Sequence, residues 1–426
     1  MGYPKILHDN RLDDATPVAS TTATGYNVLN LRDWRPYTWW KPTALPATVT
    51  VDSAVASAAD YALIFGHSLH TAQAAVEVRG STDNFVSSDV LLATSNLMSY
   101  PEQFDNASWT KGDSTITANA ALAPDGTFTA DKLVEAATTA QHYVAKSFAT
   151  PANDINTVSI YVKAAGRTEC RLVQVDPTIN NVLVVINLTT GALIEFGSSG
   201  TVASADYSIT DAGNGWWRIS VTAAHAATST GLQIQPMTNS GLDSVYLGDT
   251  TKGIYIWAGQ LKHGAAAGYY EGIDNGPLYL PFSASSYRYY RLRVVQLSGS
   301  TMPSLAIAAI GSALEVPSYM SSGFDPLGRK VVGQSNRSEG GQPLGRVIDY
   351  EEWRENLRFE NVSWSWLRNS FNPAWAAHLR SEPFGFCWDA ASYADEVRLV
   401  QSGADYKTPH RPGALADLSL EVFGVI

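Results

Sequence analysis

The chain has 426 residues, 45% of them hydrophobic and 11% aromatic, enough for roughly two to four ordinary domains with well-filled cores. A formal charge of -11 and a sequence pI near 5.2 argue against a duplex nucleic-acid binder, which needs a basic face to release counterions. No apolar run approaches a membrane span, no charged-then-apolar secretory segment opens the chain, and two cysteines exclude a disulfide framework or a cysteine-rich zinc site.

Pro4-Lys5-Ile6-Leu7 is short and apolar enough for an edge strand, and the stretch to Thr24 is polar and rich in turn residues. Trp34, Tyr37, Trp39 and Trp40 then make an aromatic loop, in which Trp39 and Trp40 either form an exposed anchor or plug one end of a sandwich. Residues 47–52, 60–66 and 75–80 read as short strands separated by turn residues. Far downstream, Arg288-Tyr289-Tyr290-Arg291-Leu292-Arg293-Val294 alternates strictly. Tyr290, Leu292 and Val294 fall on one face and Arg291 and Arg293 on the other, which predicts a half-buried antiparallel strand. Residues 305–310 and 313–316 are apolar enough for strands buried on both faces or for a closing edge. These later strands cannot bury their faces alone, so their partners are sought among the N-terminal ones.

The order of these elements, with Asn30-Leu31-Arg32-Asp33-Trp34-Arg35-Pro36 before them and Gly80-Ser81-Thr82-Asp83 among them, resembles the discoidin, or galactose-binding-like, β-sandwich. The resemblance covers the whole of that fold but is interrupted, which implies a discontinuous domain of residues 1–95 plus 277–318 and an insertion of residues 96–276 into a surface loop. Such insertions succeed where the guest's termini lie close together. Discoidin-like domains often hold a calcium ion through loop oxygens, for which Asp13, Asp14 and Asp33 are the candidates; no cofactor is otherwise implied.

Within the insertion, Asn96-Leu97-Met98-Ser99-Tyr100-Pro101 through Trp109, Ala123-Pro124-Asp125-Gly126-Thr127, Gly213-Asn214-Gly215-Trp216-Trp217-Arg218 and Gly253-Ile254-Tyr255-Ile256-Trp257 occur in one order. Together they resemble a jelly-roll module common in phage tail and tail-fibre proteins and related in shape to carbohydrate-binding modules. The exit Ala267-Gly268-Tyr269-Tyr270-Glu271-Gly272 departs from that family's usual Tyr-Pro ending. Trp216 and Trp217 point to opposite faces if they share a strand, so one is a core residue. The other, with Trp109, Tyr255 or Trp257, is a candidate for stacking on a sugar ring; the alternative is a plain spacer.

Residues 319–426 open with a long segment rich in Gly, Ser and Gln, in which Phe324, Leu327, Arg329, Val331, Arg337 and Leu344 are candidates for an assembly arm reaching a neighbouring subunit. A plain hairpin extension is the alternative. Strands at 346–350 and 356–361 follow, then a helix at 364–371 and a second begun by Asn372 as N-cap with Pro373 behind it. Pro383-Phe384-Gly385-Phe386-Cys387-Trp388-Asp389 and two later strands complete a layout similar to small β-rich domains of phage tail-tip and distal-tail proteins.

The eight histidines are scattered, and no nucleophile elbow, phosphate loop or dinucleotide fingerprint occurs. Asp349, Glu351 and Glu352 are placed as a glycosidase acid and base would be only if a loop brought them together; adjacent acids are more often a solvated patch. The fold class expected is therefore mainly β: a discoidin-like sandwich interrupted by a jelly roll, followed by a β-rich domain with a short helical pair. The resemblances imply a non-enzymatic structural protein of a tailed-phage virion, made in the host cytoplasm and sited at the tail tip or baseplate. Its expected partners are other tail proteins, copies of itself in a three-fold or six-fold ring, and host surface polysaccharide. The rival expectation is a polysaccharide-degrading tail enzyme with accessory binding modules.

Overall fold

Ala47–His67 and Leu278–Gln296 are neighbouring antiparallel strands, in register from Leu278↔Ile64 to Val294↔Ala47, although most of the chain's first half lies between them in sequence. The computed structural model describes residues 2–238, 244–273 and 275–425. Both strands bend where their register shifts, between Pro281 and Ser285 and between Tyr287 and Tyr289. On the facing strand Ala54 takes a positive φ of 63°, supported by its N–H donating to Asp52 Oδ1. The bend folds one sheet into two layers. Val49, Val51, Val76, Val78, Tyr290, Leu292 and Val294 from one half share a core with Ala62, Ile64, Leu278, Leu280, Ala308 and Ile310 from the other.

Tyr290, Leu292 and Val294 are buried and Arg291 and Arg293 lie half-exposed on the outer face, as the alternation requires. Every residue of Leu305–Gly311 is buried, and the reason is a second core behind it. Ala308 and Ile310 enter the sandwich core, whereas Ile307 and Ala309 join Tyr61, Leu63 and Phe65 against Leu7, Cys387 and Val397 of the C-terminal sheet.

The chain leaves this sandwich after Val90–Thr94 and forms two six-stranded antiparallel sheets before returning at Leu278. One runs, in spatial order, Leu193–Ser199, Asn181–Asn187, Glu169–Val175, Ser229–Met237, Tyr143–Ala149 and Thr110–Gly112; it is the first sheet of the module. The second runs Val202–Gly213, Trp216–His225, Ile155–Ala165, Gly253–His263, Ala130–Glu135 and Ser114–Ala121. Val158, Ile160, Val162, Leu172, Val184 and Ile234 fill the space between them. Entry and exit are tied together: the Asn96 N–H donates to Glu271 Oε2 at 2.5 Å, and the Asn96 side chain bridges Gly259 and Leu261.

At one end of the module the buried Glu135 carboxylate accepts two hydrogen bonds from Arg167, at 2.6 and 2.7 Å, one from Tyr246 Oη and one from the Asp249 N–H. Glu135→Ala would leave the Arg167 guanidinium buried and unpaired, an expected cost of about 3 to 5 kcal/mol readable in urea unfolding. Burial pushes this carboxyl up, but its four donors outweigh that and hold it below the ordinary 4.5. A carboxylate held low contributes stability above its unfolded-state value and loses it as the pH falls through the folded one. The contribution should therefore be present at neutral pH and disappear below about pH 4.5.

The remaining sheet runs Leu314–Glu315, Lys5–Leu7, Phe384–Cys387, Arg398–Lys407, Leu415–Val425, Pro343–Ser363 and Lys330–Arg337. Lys5–Leu7 is thus an interior strand of the C-terminal sheet, with Ile6 opposite both Leu314 and Phe386, and not an edge strand. The two strands expected within 346–361 are one, Pro343–Ser363, whose first half pairs only with Lys330–Arg337 and projects as a hairpin exposed on both faces.

The expected helical pair is a single helical run from Trp364 to Leu379, with π-helical stretches at Leu367–Phe371 and Trp375–Leu379. Asn372 is helical, at φ -64° and ψ -38°, and does not cap a second helix. Burial of Leu367, Phe371, Ala374 and Leu379 carries the helix through this point. The Asn372 N–H reaches Leu367 O, widening the turn just before Pro373, which has no donor to give.

Candidate functional site

Most of the aromatic residues that the sequence offers as sugar platforms are structural. Trp40 is fully buried in the first sandwich core, with Nε1 donating to Thr21 O and Thr22 Oγ1; it plugs the sandwich end, while Trp39 beside it is exposed. Trp109 is buried against Phe104 and donates to Tyr100 O. Trp216 and Trp257 are buried on the outer face of the module's second sheet, their indole N–H groups bound to Leu122 O and Thr129 Oγ1. Trp217, on the inner side, is half-buried and donates to Leu188 O, its ring filling the space that Gly191 leaves open. Trp40, Trp109, Trp216 and Trp257 are therefore withdrawn as ring-stacking residues: an indole buried with its N–H satisfied has no face left for a ligand. Tyr255 is half-buried at the margin of the same outer cluster.

The second sheet's outer face is covered by the module's own exit segment. Arg218 donates to Gly268 O, Gln260 to Ala267 O, and Tyr270 packs on Trp257 with its hydroxyl on Glu102. The unusual sequence of that exit is thus a docking sequence, and the face it occupies is closed.

The first sheet's outer face remains. In Glu169–Val175, Cys170 and Leu172 point into the core, so Glu169, Arg171 and Val173 point out; in Ser229–Met237, Leu232 and Ile234 point in and Gln233 and Gln235 out. Register aligns Arg171 with Gln235 on one side and with Val185, then Glu195, on the other. Tyr143 lies one position beyond the Val144↔Ile234 pair and directly opposite Gly112, where a Cβ would collide with its ring. The ring therefore lies flat on the sheet.

This face is recessed. Val173, Val185, Gln235 and Met237 are buried there although none belongs to the core between the sheets. Two of its polar atoms are buried without a hydrogen-bond partner among the described residues: Oε1 of Gln235, which is only 3% exposed, and Nε of Arg171. Burial pulls the Arg171 guanidinium down while Glu195 pulls it up, and burial pushes the Glu169 carboxyl up. Unsatisfied buried polar groups carry a penalty of about 1–3 kcal/mol each, which a ligand with hydroxyl groups would relieve. The signal for these residues lies in Leu232-Gln233-Ile234-Gln235, a strict alternation of apolar and amide side chains.

The other candidates fall elsewhere. Glu351 and Glu352 sit on the projecting hairpin, paired with Arg329 and Lys330 at 3.5 Å each, and Asp349 is exposed on the same strand. Asp14 pairs with Arg11, and Asp33 accepts from Thr38 Oγ1 and the Arg35 N–H. Asp13 lies in the turn Arg11–Asp13, and no group of three or more His, Cys, Asp or Glu side chains is gathered for a metal among the described residues. Of the arm residues, Phe324 packs on its own chain against Trp353, Phe386 and Trp388, so it is no anchor for a neighbour. Leu327, Arg337 and Leu344 are exposed, and Val331 is half-buried on the hairpin.

No family model matches the chain, and no curated protein matches it. Among solved structures it is similar, over 40% of its length at 14% identity and a TM-score of 0.25, to the enzymatically active domain of tailspike protein 4 of bacteriophage CBA120. It is similar over 45% of its length, at 16% identity and a TM-score of 0.23, to the CBM22-1 and GH10 modules of the Clostridium thermocellum endo-1,4-β-D-xylanase 10B. A truncated AlyQ with CBM32 and alginate lyase domains matches 62% of the chain at 10% identity and a TM-score of 0.18, over 100% of its own length. The chain spans 21% of the tailspike domain and 29% of the xylanase.

Proposed function

We propose that this chain is a structural protein of a phage tail, at the tail tip or baseplate, that displays the inserted module as an adhesion unit for host surface glycans. The observation that carries the reading is the recessed outer face of the module's first sheet. A pyranose presents a C–H-rich face to a ring such as Tyr143 and hydroxyl groups able to bond the half-buried Gln233 amide and to accept from Arg171. The sequence resemblance to phage tail modules points the same way. In this reading the C-terminal sheet joins the chain to other tail proteins, the hairpin Lys330–Arg337 with Pro343–Ser363 reaches across a subunit boundary in a closed ring, and the role is binding and not catalysis.

Calorimetric titration with purified host-surface polysaccharide tests this. Tyr143→Ala and Arg171→Ala are each expected to weaken binding by about tenfold or more, while Trp39→Ala on the first sandwich leaves it unchanged. Full affinity in both variants would remove the site, and shortening of the polysaccharide during the titration would favour the enzymatic alternative.

A further inference from the structure

The outward positions of the module's first sheet hold three charged side chains, and their charges do not balance. Glu169 and Arg171 leave the same strand. Glu195 stands on the edge strand Leu193–Ser199, opposite Val185, whose neighbours Val184 and Ile186 point into the core. One guanidinium thus faces two carboxylates. All three side chains are half-buried, and neither carboxylate has an ion-pair or hydrogen-bond partner among the described residues. This contrasts with Glu135 at the end of the same module, whose carboxylate takes four hydrogen bonds. A carboxylate only accepts, so Glu169 and Glu195 are left for solvent or for a ligand that donates.

Glu195 borders a gap in the layer of side chains. Gly197, two residues on and on the same face, lies opposite Leu183. Apart from its chain neighbours, a Cβ at Gly197 would meet a single atom within 4 Å, Glu195 Oε1 at 3.9 Å. Gly197 has no positive φ, so its backbone does not require glycine. A glycine inside a strand gives up packing, and it often marks a place where a ligand comes close to the backbone. The face therefore has two special glycines. Gly112 seats the Tyr143 ring on one side, and Gly197 leaves a notch beside a carboxylate on the other. Four strand spacings separate Tyr143 from Glu195, about 19 Å, with Arg171 midway.

We propose that the notch beside Glu195 seats an ammonium group of the bound glycan, so that the module prefers glycans with free amino groups to neutral or acidic ones. The proposal rests on the adhesion reading and names the glycan class for that same face. A protonated amine brings three donors and the positive charge that the face lacks. A hydroxyl in the same place brings one donor and leaves the carboxylate uncompensated. An acidic sugar adds a like charge, against both this face and the net charge of -11. Glu195 is half-buried, where a charge-assisted hydrogen bond is stronger than in open water. Arg171, between the ring and the notch, remains for the sugar oxygens in between.

The test is calorimetric titration of the full chain with fully deacetylated chitotetraose, with its N-acetylated counterpart and with tetragalacturonate, at mildly acidic pH where the amines are protonated. The deacetylated oligomer is expected to bind about tenfold or more tighter than the acetylated one, and tetragalacturonate weakest. Glu195→Gln keeps the shape and removes the charge. It is expected to weaken the deacetylated oligomer by about 10- to 100-fold and to leave the acetylated one unchanged, which cancels the preference. Gly197→Val fills the notch with a strand-forming side chain and is expected to weaken the deacetylated oligomer as strongly. Asp349→Asn, on the distant hairpin, is expected to change nothing and controls for attraction by the overall negative charge. Thermal unfolding of each variant confirms that it is folded. The inference is overturned if the two chito-oligomers bind alike, if neither binds, or if Glu195→Gln keeps the full preference. Equal binding of both that is lost in Tyr143→Ala would overturn it while leaving the adhesion reading standing. Binding of the deacetylated oligomer that needs Glu195 but neither Tyr143 nor Arg171 would uphold the ammonium site and take the ring platform away from the adhesion reading.

Discussion

Leu292→Ala is expected to cost about 2 to 5 kcal/mol of unfolding free energy, a large-to-small change in a core with no room to collapse. Leu292 is 1% exposed, sits opposite Val49 on one neighbour and Val78 on the other, and packs across the layer against the folded-over half of the same sheet. Arg291→Ala, one residue away on the outer face, gives up a stacking contact and one hydrogen bond and is expected to cost about 1 kcal/mol or less. Urea denaturation of the two variants measures the contrast. Equal losses would mean that the strand is registered the other way round, since a one-residue slip exchanges its faces.

Removing the projecting hairpin and closing the chain with a tight turn between residues 329 and 352 is expected to abolish tail assembly while leaving the isolated chain folded. The segment contributes nothing to the core that begins at Trp353. It does expose Leu344, Val347, Ile348 and Tyr350, each more than half accessible. A two-stranded hairpin with neither face packed is marginal in water, and in the function proposed above a neighbouring tail subunit covers it. Complementation of a phage lacking the gene, followed by electron microscopy of the particles, reads the outcome. Normal tails without the hairpin would take the assembly role away from it.

How far the sequence discloses the fold depends on whether a signal is local. Arg288 to Val294 alternates so regularly that burial, register face and antiparallel partner were all legible, and the apolar run at 305–310 announced burial on both faces. What the run could not show is that its second face belongs to a different core, because Leu7 and Cys387, which complete it, lie at opposite ends of the chain. For the same reason Lys5–Leu7 read as an edge: three residues carry no mark of being paired on both sides. At Asn372-Pro373 the local cap preference was overridden by burial of the flanking helix face.

The candidate site was less legible than the fold. Tryptophan is as useful for closing a core as for holding a sugar, and sequence alone does not distinguish an indole bound to Leu122 O from an open one. The residues half-exposed on the remaining face, Tyr143, Arg171 and Gln233, lie on three strands that are distant in sequence. Only pairing places them side by side. Their one local trace was the amide alternation in Ser229–Met237.

The central claim, that the recessed face of the inserted module is a host-binding surface of a phage tail, is tested most directly by competition. Purified chain is added to host cells before infection, and adsorption of the phage that encodes it is counted. The wild-type protein is expected to reduce adsorption in a concentration-dependent way, and a folded Tyr143→Ala/Arg171→Ala double variant to leave it unchanged. Equal inhibition by the two proteins, or none by either, would contradict the claim.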